Sequence, residues 1–311
     1  MQPTLIETRR NITLPAWADE RWRQYVGPID VRLPAPVRRS ARRPVKIPYA
    51  QWALENREVT EGAHPGRWRH EYAPHTVKIM DAFCQSGVEE VWLCKVEQSG
   101  GTNTMINLLL AATDCDPGDA FILMPTEKDS NKMIGRLKNT IKASRRVRDL
   151  VSPRADDTTL EKISLTNGVT WYPASAGSPA SMSSRPAKYA FGDEVDKYTE
   201  LAGREADPIT LIRKRGRTFR GRVKRFFCST PAGLFIYKGM KACAQVWEAR
   251  VRCPHCGDLI KMDAEHLVIP EGATAENVDQ LGVGYACNCC ASIRTEQDRI
   301  DAIHAGAAHW H

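Results

Sequence analysis

Long apolar runs are missing from this sequence of 311 residues. A helix that crosses a bilayer needs about 20 consecutive apolar residues, and no run approaches that length. The first residues, MQPTLIETRRNITLPAWADE, also lack the apolar core and the small-residue cleavage site of a signal peptide. These absences predict a soluble intracellular protein without a membrane partner, and the hydrophobic content of 42% is ample for a folded core.

Acidic residues are missing from two strongly basic segments. Residues 32–46 (RLPAPVRRSARRPVK) and 213–225 (RKRGRTFRGRVKR) contain no acid, and the formal net charge of the chain is +7. Such clusters indicate either a solvated face or a surface for an anionic partner. We expect double-stranded DNA as that partner, bound without sequence preference and in a salt-sensitive way. The candidate DNA contacts are Arg213, Lys214, Arg215, Arg217, Arg220 and Arg222.

Strand and helix patterns alternate through the middle of the chain. Apolar runs rich in β-branched and aromatic residues predict strands, and apolar residues at helical spacing predict the segments between them. The predicted strands are 88–94, 119–126, 168–176, 188–196 and 223–231. This alternation predicts an α/β fold with a mainly parallel sheet, in which ligands bind beyond the carboxyl ends of the strands.

The loop after the first of these strands lacks a lysine where a phosphate-binding loop normally has one. Residues 95–102, KVEQSGGT, keep the spacing of G-x-x-x-x-G-K-[ST], but Lys95 and Gly101 have exchanged places. Strand, loop and a helix from residue 103 form the context that such a loop requires, and a lysine at the head of the loop can reach the same phosphate oxygens. The alternative is a glycine turn that resembles a phosphate loop by chance. The nucleotide-binding candidates are Lys95, Ser99, Gly100, Gly101 and Thr102.

The segment YAFGDE supplies the second half of a nucleotide site. A short apolar strand that ends in two acids is typical of phosphate-loop NTPases, where the first acid holds Mg²⁺. We expect Asp193 and the hydroxyl of Thr102 to bind Mg²⁺, and Glu194 to act as the general base on the attacking water. The alternative is a helix N-terminus whose acids interact with the helix dipole. Both motifs together favour an ATPase.

Two further segments fit this site. Ser229 and Thr230 in CSTP end the last strand where the γ-phosphate of ATP would lie, although a plain strand-ending turn is an alternative. Arg185 in SMSSRP could act on the γ-phosphate of a neighbouring subunit, an effect of roughly 10³–10⁵ in rate in other NTPases. The alternative for Arg185 is a surface residue or a DNA contact.

Half of the ten cysteines fall between residues 253 and 290. The pairs CPHC and CNCC are Cys-x-x-Cys knuckles, and two such knuckles complete a tetrahedral Zn²⁺ site of the structural type. Such a metal contributes an apparent folding free energy of about 10–16 kcal/mol. Reduced thiols without metal are the alternative, and Cys289 is a spare thiol. The predicted ligands are Cys253, Cys256, Cys287 and Cys290.

Taken together, these motifs resemble the large terminase subunit of tailed phages, in its lambda-like branch. The resemblance runs from about residue 48 to residue 295 and rests on the displaced lysine, FGDEVD, CSTP and the following Cys-x-x-Cys pair. It implies a RecA-like P-loop ATPase of the ASCE class with a zinc-ribbon-like insertion. It also implies ATP and Mg²⁺ as cofactors and a ring of copies on the portal of a prohead in the host cytoplasm. The isolated domain could instead be a monomer, and a small terminase subunit is a further implied partner.

The resemblance also implies roles for individual residues. Asp193 corresponds to the Walker B acid, Glu194 to the catalytic glutamate, and Ser229 and Thr230 to the coupling motif. Arg185 corresponds to the arginine finger, acting in cis or in trans. Tyr72, in the segment 64–83, corresponds to a residue beside the adenine.

One departure concerns the nuclease that large terminase subunits carry after their ATPase domain. The chain ends soon after the cysteine module, so we expect an isolated ATPase domain or a truncated product without nuclease activity. Two other functions stay open: another RecA-like helicase or translocase, and a DNA-binding zinc-ribbon or scaffold protein whose nucleotide site is inactive because Gly101 replaces the lysine. The predicted segments are a basic arm (1–47), the ATPase domain (48–245), the zinc-ribbon-like module (246–295) and a tail (296–311).

Overall fold

The structure is a computed structural model. It describes residues 46–182, 185–198, 207–261, 263–274, 276–295, 297–298, 301–302 and 308–310. The basic arm predicted over residues 1–47 therefore lies almost wholly outside the described residues. Within the described ranges, no helix has the length and apolar character needed to span a bilayer.

Helices and strands alternate as the sequence predicts. The helices are α1 (Tyr49–Asn56), α2 (His75–Cys84), α3 (Gly101–Cys115), α4 (Glu127–Ala143), α5 (Pro208–Arg215), α6 (Phe235–Lys241) and α7 (Val278–Leu281). The strands up to the end of the central sheet are β1 (Glu58–Val59), β2 (Gly66–Arg67), β3 (Glu90–Cys94), β4 (Ala120–Met124), β5 (Ile163–Ser164), β6 (Thr170–Ser175), β7 (Tyr189–Asp193) and β8 (Lys224–Ser229). The later strands are β9 (Ala249–Arg252), β10 (Leu259–Ile260), β11 (Leu267–Val268), β12 (Gly284–Ala286), β13 (Ile293–Thr295) and β14 (Ala308–Trp310).

The central sheet has six strands in the order β3-β8-β7-β4-β6-β5. All neighbouring pairs are parallel except β5 and β6, which are antiparallel. The α/β fold with a mainly parallel sheet is thus confirmed. Because β8 lies between β3 and β7, the carboxyl ends of these three strands meet at one edge of the sheet.

Helices cover both faces of this sheet. Successive side chains of a strand point to opposite faces. Ala120, Ile122 and Met124 of β4 accordingly join the core beneath α1 to α4, whereas Phe121 and Leu123 join the core beneath α5 and α6. Each face of β4 is therefore buried, which explains why its sequence is an unbroken apolar run.

One helix boundary differs from the predicted one. Helix α3 begins at Gly101, two residues before the predicted start, directly after Gly100 with its left-handed φ of 83°. Helix α4 ends at Ala143, and residues 148–150 form a separate short 3₁₀ helix. Thr126 caps α4 by accepting a hydrogen bond from the backbone N–H of Asp129.

The C-terminal region forms two small antiparallel sheets. Strands β10, β9 and β14 make one, and β11, β12 and β13 make the other. Strand β10 follows the first cysteine knuckle, and β12 leads into the second. These short sheets place the two knuckles of the cysteine module together.

Candidate nucleotide site and metal centre

The predicted nucleotide-binding residues meet at the edge formed by the carboxyl ends of β3, β7 and β8. Lys95 follows β3, Asp193 ends β7 and Ser229 ends β8. The backbone N–H of Lys95 donates to the carbonyl of Ser229 at 3.0 Å, so the strand pairing extends into the loop. The first turn of α3 faces the same edge through Thr102.

Asp193 is held by hydrogen bonds at both of its carboxylate oxygens. The Thr102 hydroxyl donates to Oδ2 at 2.6 Å, and the Cys228 thiol donates to Oδ1 at 3.1 Å. Asp193 is only 2% exposed, and Cys228 is completely buried. Carboxylate and hydroxyl oxygens are hard ligands of the kind that Mg²⁺ prefers. Thr102 and Asp193 are therefore close enough to share one such ion.

Glu194 directly follows this acid in the left-handed backbone conformation, with φ of 52°. Its Oε1 lies 2.9 Å from Lys95 Nζ and its Oε2 lies 3.3 Å from Lys197 Nζ. The Thr230 hydroxyl donates to Oε2 at 3.2 Å. A residue other than glycine in this conformation is uncommon and is found at functional sites. The turn aims the carboxylate back over the ends of β3 and β8.

Lys95 and Glu194 shift each other's pKa. Burial disfavours the charged form of both, but the hydrogen bond and charge of Glu194 outweigh burial and raise the pKa of the Lys95 ammonium. Burial also disfavours the charged carboxylate of Glu194. The hydrogen bonds and charges of Lys95 and Lys197 outweigh burial and lower the pKa of the Glu194 carboxyl. Both directions describe the same ion pair, which is charged at neutral pH.

Gly101 explains the exchanged lysine and glycine of the loop. A Cβ added at Gly101 would lie 2.4 Å from Cδ and 2.5 Å from Cε of Lys95. The stem of Lys95 thus occupies the space that any side chain at position 101 would need. The displaced lysine and the glycine therefore depend on each other. The lysine comes from the head of the loop, and glycine at the usual lysine position leaves room for the lysine stem.

The rest of the loop is fixed by a contact with the first residue of α2 and by a hydrogen bond within the loop. His75 Nε2 lies 2.8 Å from the carbonyl oxygen of Ser99, and the Ser99 hydroxyl donates to the carbonyl of Val96 at 2.8 Å. Tyr72, three residues before His75, is half exposed and stacks on His64 with 4.1 Å between ring centroids. A place for Tyr72 beside the adenine stays a prediction.

Arg185 lies apart from these side chains. Its guanidinium is 4.8 Å from the ring centroid of Tyr172 on β6. It also acts on Asp119, which precedes β4 at the opposite edge of the sheet: burial raises the pKa of Asp119, and Arg185 works against that rise. Among the described residues, no contact joins Arg185 to Glu194. Its role as an arginine finger stays a prediction.

The basic segment 213–225 lies at the amino ends of the strands. It leads from α5 into the start of β8, and the N–H of Lys224 donates to the carbonyl of Lys188 directly before β7. Four of the predicted DNA contacts are exposed, namely Lys214, Arg217, Arg220 and Arg222. The basic surface, defined by these four side chains, is therefore at the edge of the sheet opposite to Lys95.

Arg213 and Arg215 differ from these four side chains because both are partly buried. Arg213 donates from Nε to Glu90 Oε1 at 2.9 Å and from its terminal nitrogen to Oε2 at 2.6 Å. Arg225 donates to the same carboxylate at 3.0 Å. Burial opposes the charge of Glu90, but the two arginines outweigh it and lower the pKa of Glu90. The Arg213 side chain is thus engaged within the fold.

The four predicted zinc ligands form one cluster. Their sulfur atoms all lie within 4.8 Å of one another. The Sγ atoms of Cys253 and Cys290 are 3.9 Å apart, and those of Cys256 and Cys287 are 3.7 Å apart. Four thiolates at the Zn–S distance of 2.3 Å in a tetrahedron are separated by about 3.8 Å. The donor set and its spacing therefore fit one Zn²⁺ ion and are too wide for disulfides.

The two knuckles have the same backbone hydrogen bonds. The N–H of Cys253 donates to the carbonyl of Asp258 at 2.7 Å, and the N–H of Cys287 donates to that of Ser292 at 2.9 Å. The carbonyls of both cysteines also accept from the residue four positions later. This repetition gives two matching turns that present their thiols to one centre, as in a zinc ribbon.

Sequence reasoning missed three contributors to the candidate nucleotide site. Lys197 pairs with Glu194, Cys228 donates to Asp193, and Asp196 binds the segment after β8. All three stand inside or beside the motifs FGDEVD and CSTP. Their position in those motifs was a signal, but the direction of each side chain depends on the turns that the tertiary structure makes.

One family model and several solved structures are similar to this chain. A family model described as "Phage terminase large subunit gpA, ATPase domain" matches residues 62–310. The chain is similar to the HK97 bacteriophage large terminase, with 16% identity over 60% of this chain and 37% of that chain, and a TM-score of 0.48. It is also similar to the Thermus phage P74-26 large terminase ATPase domain, with 16% identity over 51% of this chain and 66% of that chain, and a TM-score of 0.39. The chain thus spans well under half of the HK97 protein, and the search of curated proteins gave no match.

Proposed function

Because this chain belongs to the family of phage terminase large subunits of the gpA type, matched through the ATPase domain, we propose that it hydrolyses ATP to move double-stranded DNA into a prohead. One observation carries the proposal. Lys95, Thr102, Asp193, Glu194 and Thr230 come from four separate elements and meet within hydrogen-bonding distance at the carboxyl edge of a parallel sheet. This is the edge at which α/β folds bind their ligands.

The side chains divide the work of phosphoryl transfer. Lys95 and the N–H groups at the start of α3, after Ser99 and Gly100, would bind the phosphates. Thr102 and Asp193 would hold Mg²⁺, which when bound neutralises charge on the β- and γ-phosphates. Glu194 would take the proton of the attacking water.

Glu194 and the γ-phosphate would compete for Lys95. The ammonium lies 2.9 Å from Glu194 Oε1, and the pair lowers the basicity of that carboxylate. A triphosphate that attracts Lys95 would leave Glu194 with weaker pairing and a higher pKa, because it would keep one of its two lysine partners, Lys197. Binding of ATP would thus itself make Glu194 a better base.

DNA is proposed to bind the basic surface. Its four exposed side chains carry no acid among them and lie in one short segment. Contacts of this kind neutralise phosphates without reading bases. Since this surface and the ATP site lie at opposite edges of the sheet, the β-strands would connect them.

The proposal also includes Arg185 as an arginine finger and the assembly of several copies into a ring. Arg185 does not contact Glu194 within the described residues and lies towards the other edge, which favours action in trans on a neighbouring copy in a ring. The ring would work on the portal of the prohead with a small terminase subunit, in the host cytoplasm.

A structural Zn²⁺ would connect the two cysteine knuckles. Its ligands would be Cys253, Cys256, Cys287 and Cys290.

Steady-state ATP hydrolysis tests the proposal, measured with and without double-stranded DNA. We expect activity in the wild type and a loss of about 10²-fold or more in Glu194→Gln, the scale of general base catalysis. Glu161→Gln, the same change at an exposed acid far from the site, serves as the control. Equal rates in wild type and Glu194→Gln would remove Glu194 as the base. DNA binding without any hydrolysis, also under conditions that promote oligomers, would favour a DNA-binding protein with an inactive site.

A further inference from the structure

Asp196 makes an unusual number of hydrogen bonds to one stretch of backbone. Its Oδ2 accepts from the N–H groups of Ala232 at 3.1 Å and Gly233 at 2.9 Å, and its Oδ1 accepts from the N–H of Ile236 at 2.7 Å. A capping side chain normally satisfies one or two such donors. Here a single carboxylate binds three, which lie between the end of β8 and the first turn of α6.

The backbone of Asp196 is tied to the same connection. Its N–H donates to the Ser229 hydroxyl at 3.2 Å, and that hydroxyl donates to the carbonyl of Thr230 at 2.7 Å. Thr230 in turn donates to Glu194 at 3.2 Å. Glu194, Asp196, Ser229 and Thr230 therefore form a closed circuit of covalent and hydrogen bonds.

Helix α6 is the element at the far end of this circuit. It begins at Phe235, one residue before the N–H group that Asp196 binds, and it packs on β3 through Gly239 against the ring of Trp92. Leu234 and Tyr237 at its start are exposed. A shift of the Glu194 turn would therefore reach α6 through Asp196 without passing through the apolar core.

We propose that Asp196 is a positioning residue that transmits the state of Glu194 and Thr230 to α6. The proposal rests on the ATPase function proposed above. Binding of a γ-phosphate changes the pairing of Glu194, the turn from Glu194 to Lys197 moves, and the three hydrogen bonds of Asp196 carry that movement to the segment 230–241. Asp196 also fixes Thr230 relative to Glu194, so it supports the alignment of the base during hydrolysis.

Hydrogen exchange of backbone amides tests this link directly. The full chain is compared with Mg²⁺-ADP and with Mg²⁺-ADP plus beryllium fluoride, a mimic of the γ-phosphate. In the wild type, we expect nucleotide to slow exchange in the segment 101–115, and the γ-phosphate mimic to change exchange in the segment 230–241 as well. In Asp196→Asn, which keeps the shape of the side chain but replaces an acceptor by a donor, we expect the first response to persist and the second to disappear.

The control is Asp207→Asn. Asp207 also caps a helix, since it accepts from the N–H of Thr210 at the start of α5. Asp207→Asn weakens the start of α5 and so shows what the loss of a helix cap does by itself. We expect faster exchange at the start of α5 in this variant, while the nucleotide responses of the segments 101–115 and 230–241 are both kept.

Kinetics give a second measurement. Asp196→Asn should lower kcat about tenfold while KM changes by less than about threefold, since an interaction that matters in the transition state would be lost and ground-state binding would be kept. Asp196→Glu, which keeps the charge but moves the carboxylate outward, should show the same pattern. An equal fall in kcat and in nucleotide affinity would indicate a structural role only and would overturn the proposal.

The wild-type measurement can refute the link even if Asp196→Asn does not fold, and Asp196→Glu, measured in the same way, then tests whether the link depends on this carboxylate. A response in 101–115 without one in 230–241 would refute the link while leaving the ATPase function intact. No response to nucleotide in 101–115 would refute the ATPase function and the link with it. A response of 230–241 that survives in a folded Asp196→Asn would show that another path carries the movement.

Discussion

Lys95 crosses Gly101 to reach Glu194, so that the head of the proposed phosphate loop is bonded to the proposed base, which directly follows another strand. The Nζ–Oε1 distance is 2.9 Å, and the lysine stem lies within 2.5 Å of where a Cβ of residue 101 would be. This relationship joins the two motifs from which the nucleotide site was inferred. The charge of the pair should therefore affect stability, and a side chain added at position 101 should affect nucleotide binding.

The ion pair predicts how stability depends on pH. The pKa of Glu194 is lowered, so its contribution is present above the unfolded value of about 4.3 and is lost as the pH falls through the folded value. The pKa of Lys95 is raised, so its contribution is present below about 10.4 and is lost as the pH rises through the folded value. The unfolding free energy of wild type minus that of Glu194→Gln should therefore be largest between about pH 5 and pH 10. Urea unfolding at several pH values measures this difference, and a difference that did not depend on pH would argue against the pair.

Gly101→Ala should weaken nucleotide binding. The new methyl group would push the Lys95 stem out of its place, because Lys95 is the flexible partner in that contact. Loss of a charge-assisted hydrogen bond of about 1.5–3 kcal/mol predicts a dissociation constant for Mg²⁺-ATP that is at least about tenfold higher. Equilibrium binding of a fluorescent ATP analogue gives this constant.

Gly135→Ala is the matched control for that variant. Gly135 lies on α4, exposed, with no atom within 4 Å of an added Cβ. The change should leave nucleotide binding as it is and stabilise the helix by up to about 1 kcal/mol. Similar weakening of nucleotide binding in both variants would show that the Lys95–Gly101 contact is not the cause.

The cysteine cluster predicts one zinc ion per chain. Protein prepared under reducing conditions should contain about one equivalent of zinc, and Cys256→Ser or Cys287→Ser should lose most of it, because a structural site needs all four thiolates. Cys289→Ser should retain the metal, since Cys289 is outside the cluster of four. Metal content by mass spectrometry and thermal unfolding with and without a chelator measure these effects. Zinc-free protein with an unchanged melting temperature would remove the metal from the proposal.

The basic surface predicts salt-dependent DNA binding. Combined replacement of Arg217, Arg220 and Arg222 by alanine should weaken binding to any duplex and reduce the slope of log K against log salt by about 0.9 for each phosphate contact that is lost. Filter binding or fluorescence anisotropy at several salt concentrations gives the slope. Combined replacement of Lys128, Lys132 and Arg154, which are also exposed, removes the same charge elsewhere and should leave the slope unchanged.

Arg213→Ala should behave differently from those three replacements. Arg213 binds both oxygens of Glu90, but Arg225 also binds that carboxylate and would still pair with it. We expect a loss of stability of about 1 kcal/mol, the scale of a partly exposed ion pair, and little change in the salt slope. A change of slope equal to that of an exposed arginine would place Arg213 in the DNA interface after all.

The sequence by itself determined the fold class and the order of the motifs. Apolar runs such as 119–126 and the glycines between them indicate strands without reference to distant residues, and parallel strands must align their carboxyl ends. The spacing of the four cysteines likewise specifies two knuckles, because the geometry of each is local. The family model and the described sheet confirm the fold and the terminase resemblance.

Only the tertiary structure decided which side chains contact one another at the site. Lys95 and Glu194 are 99 residues apart in sequence, and Thr102 and Asp193 are 91 apart. Their contacts depend on β8 lying between β3 and β7 and on the left-handed turn at Glu194. The same is true of Arg213, which looks in sequence like its basic neighbours but is bound by Glu90 on β3. Local sequence patterns indicate which helix, strand or turn each segment can form. The direction of a side chain at a strand end is instead set by the packing of segments that are far apart in the chain.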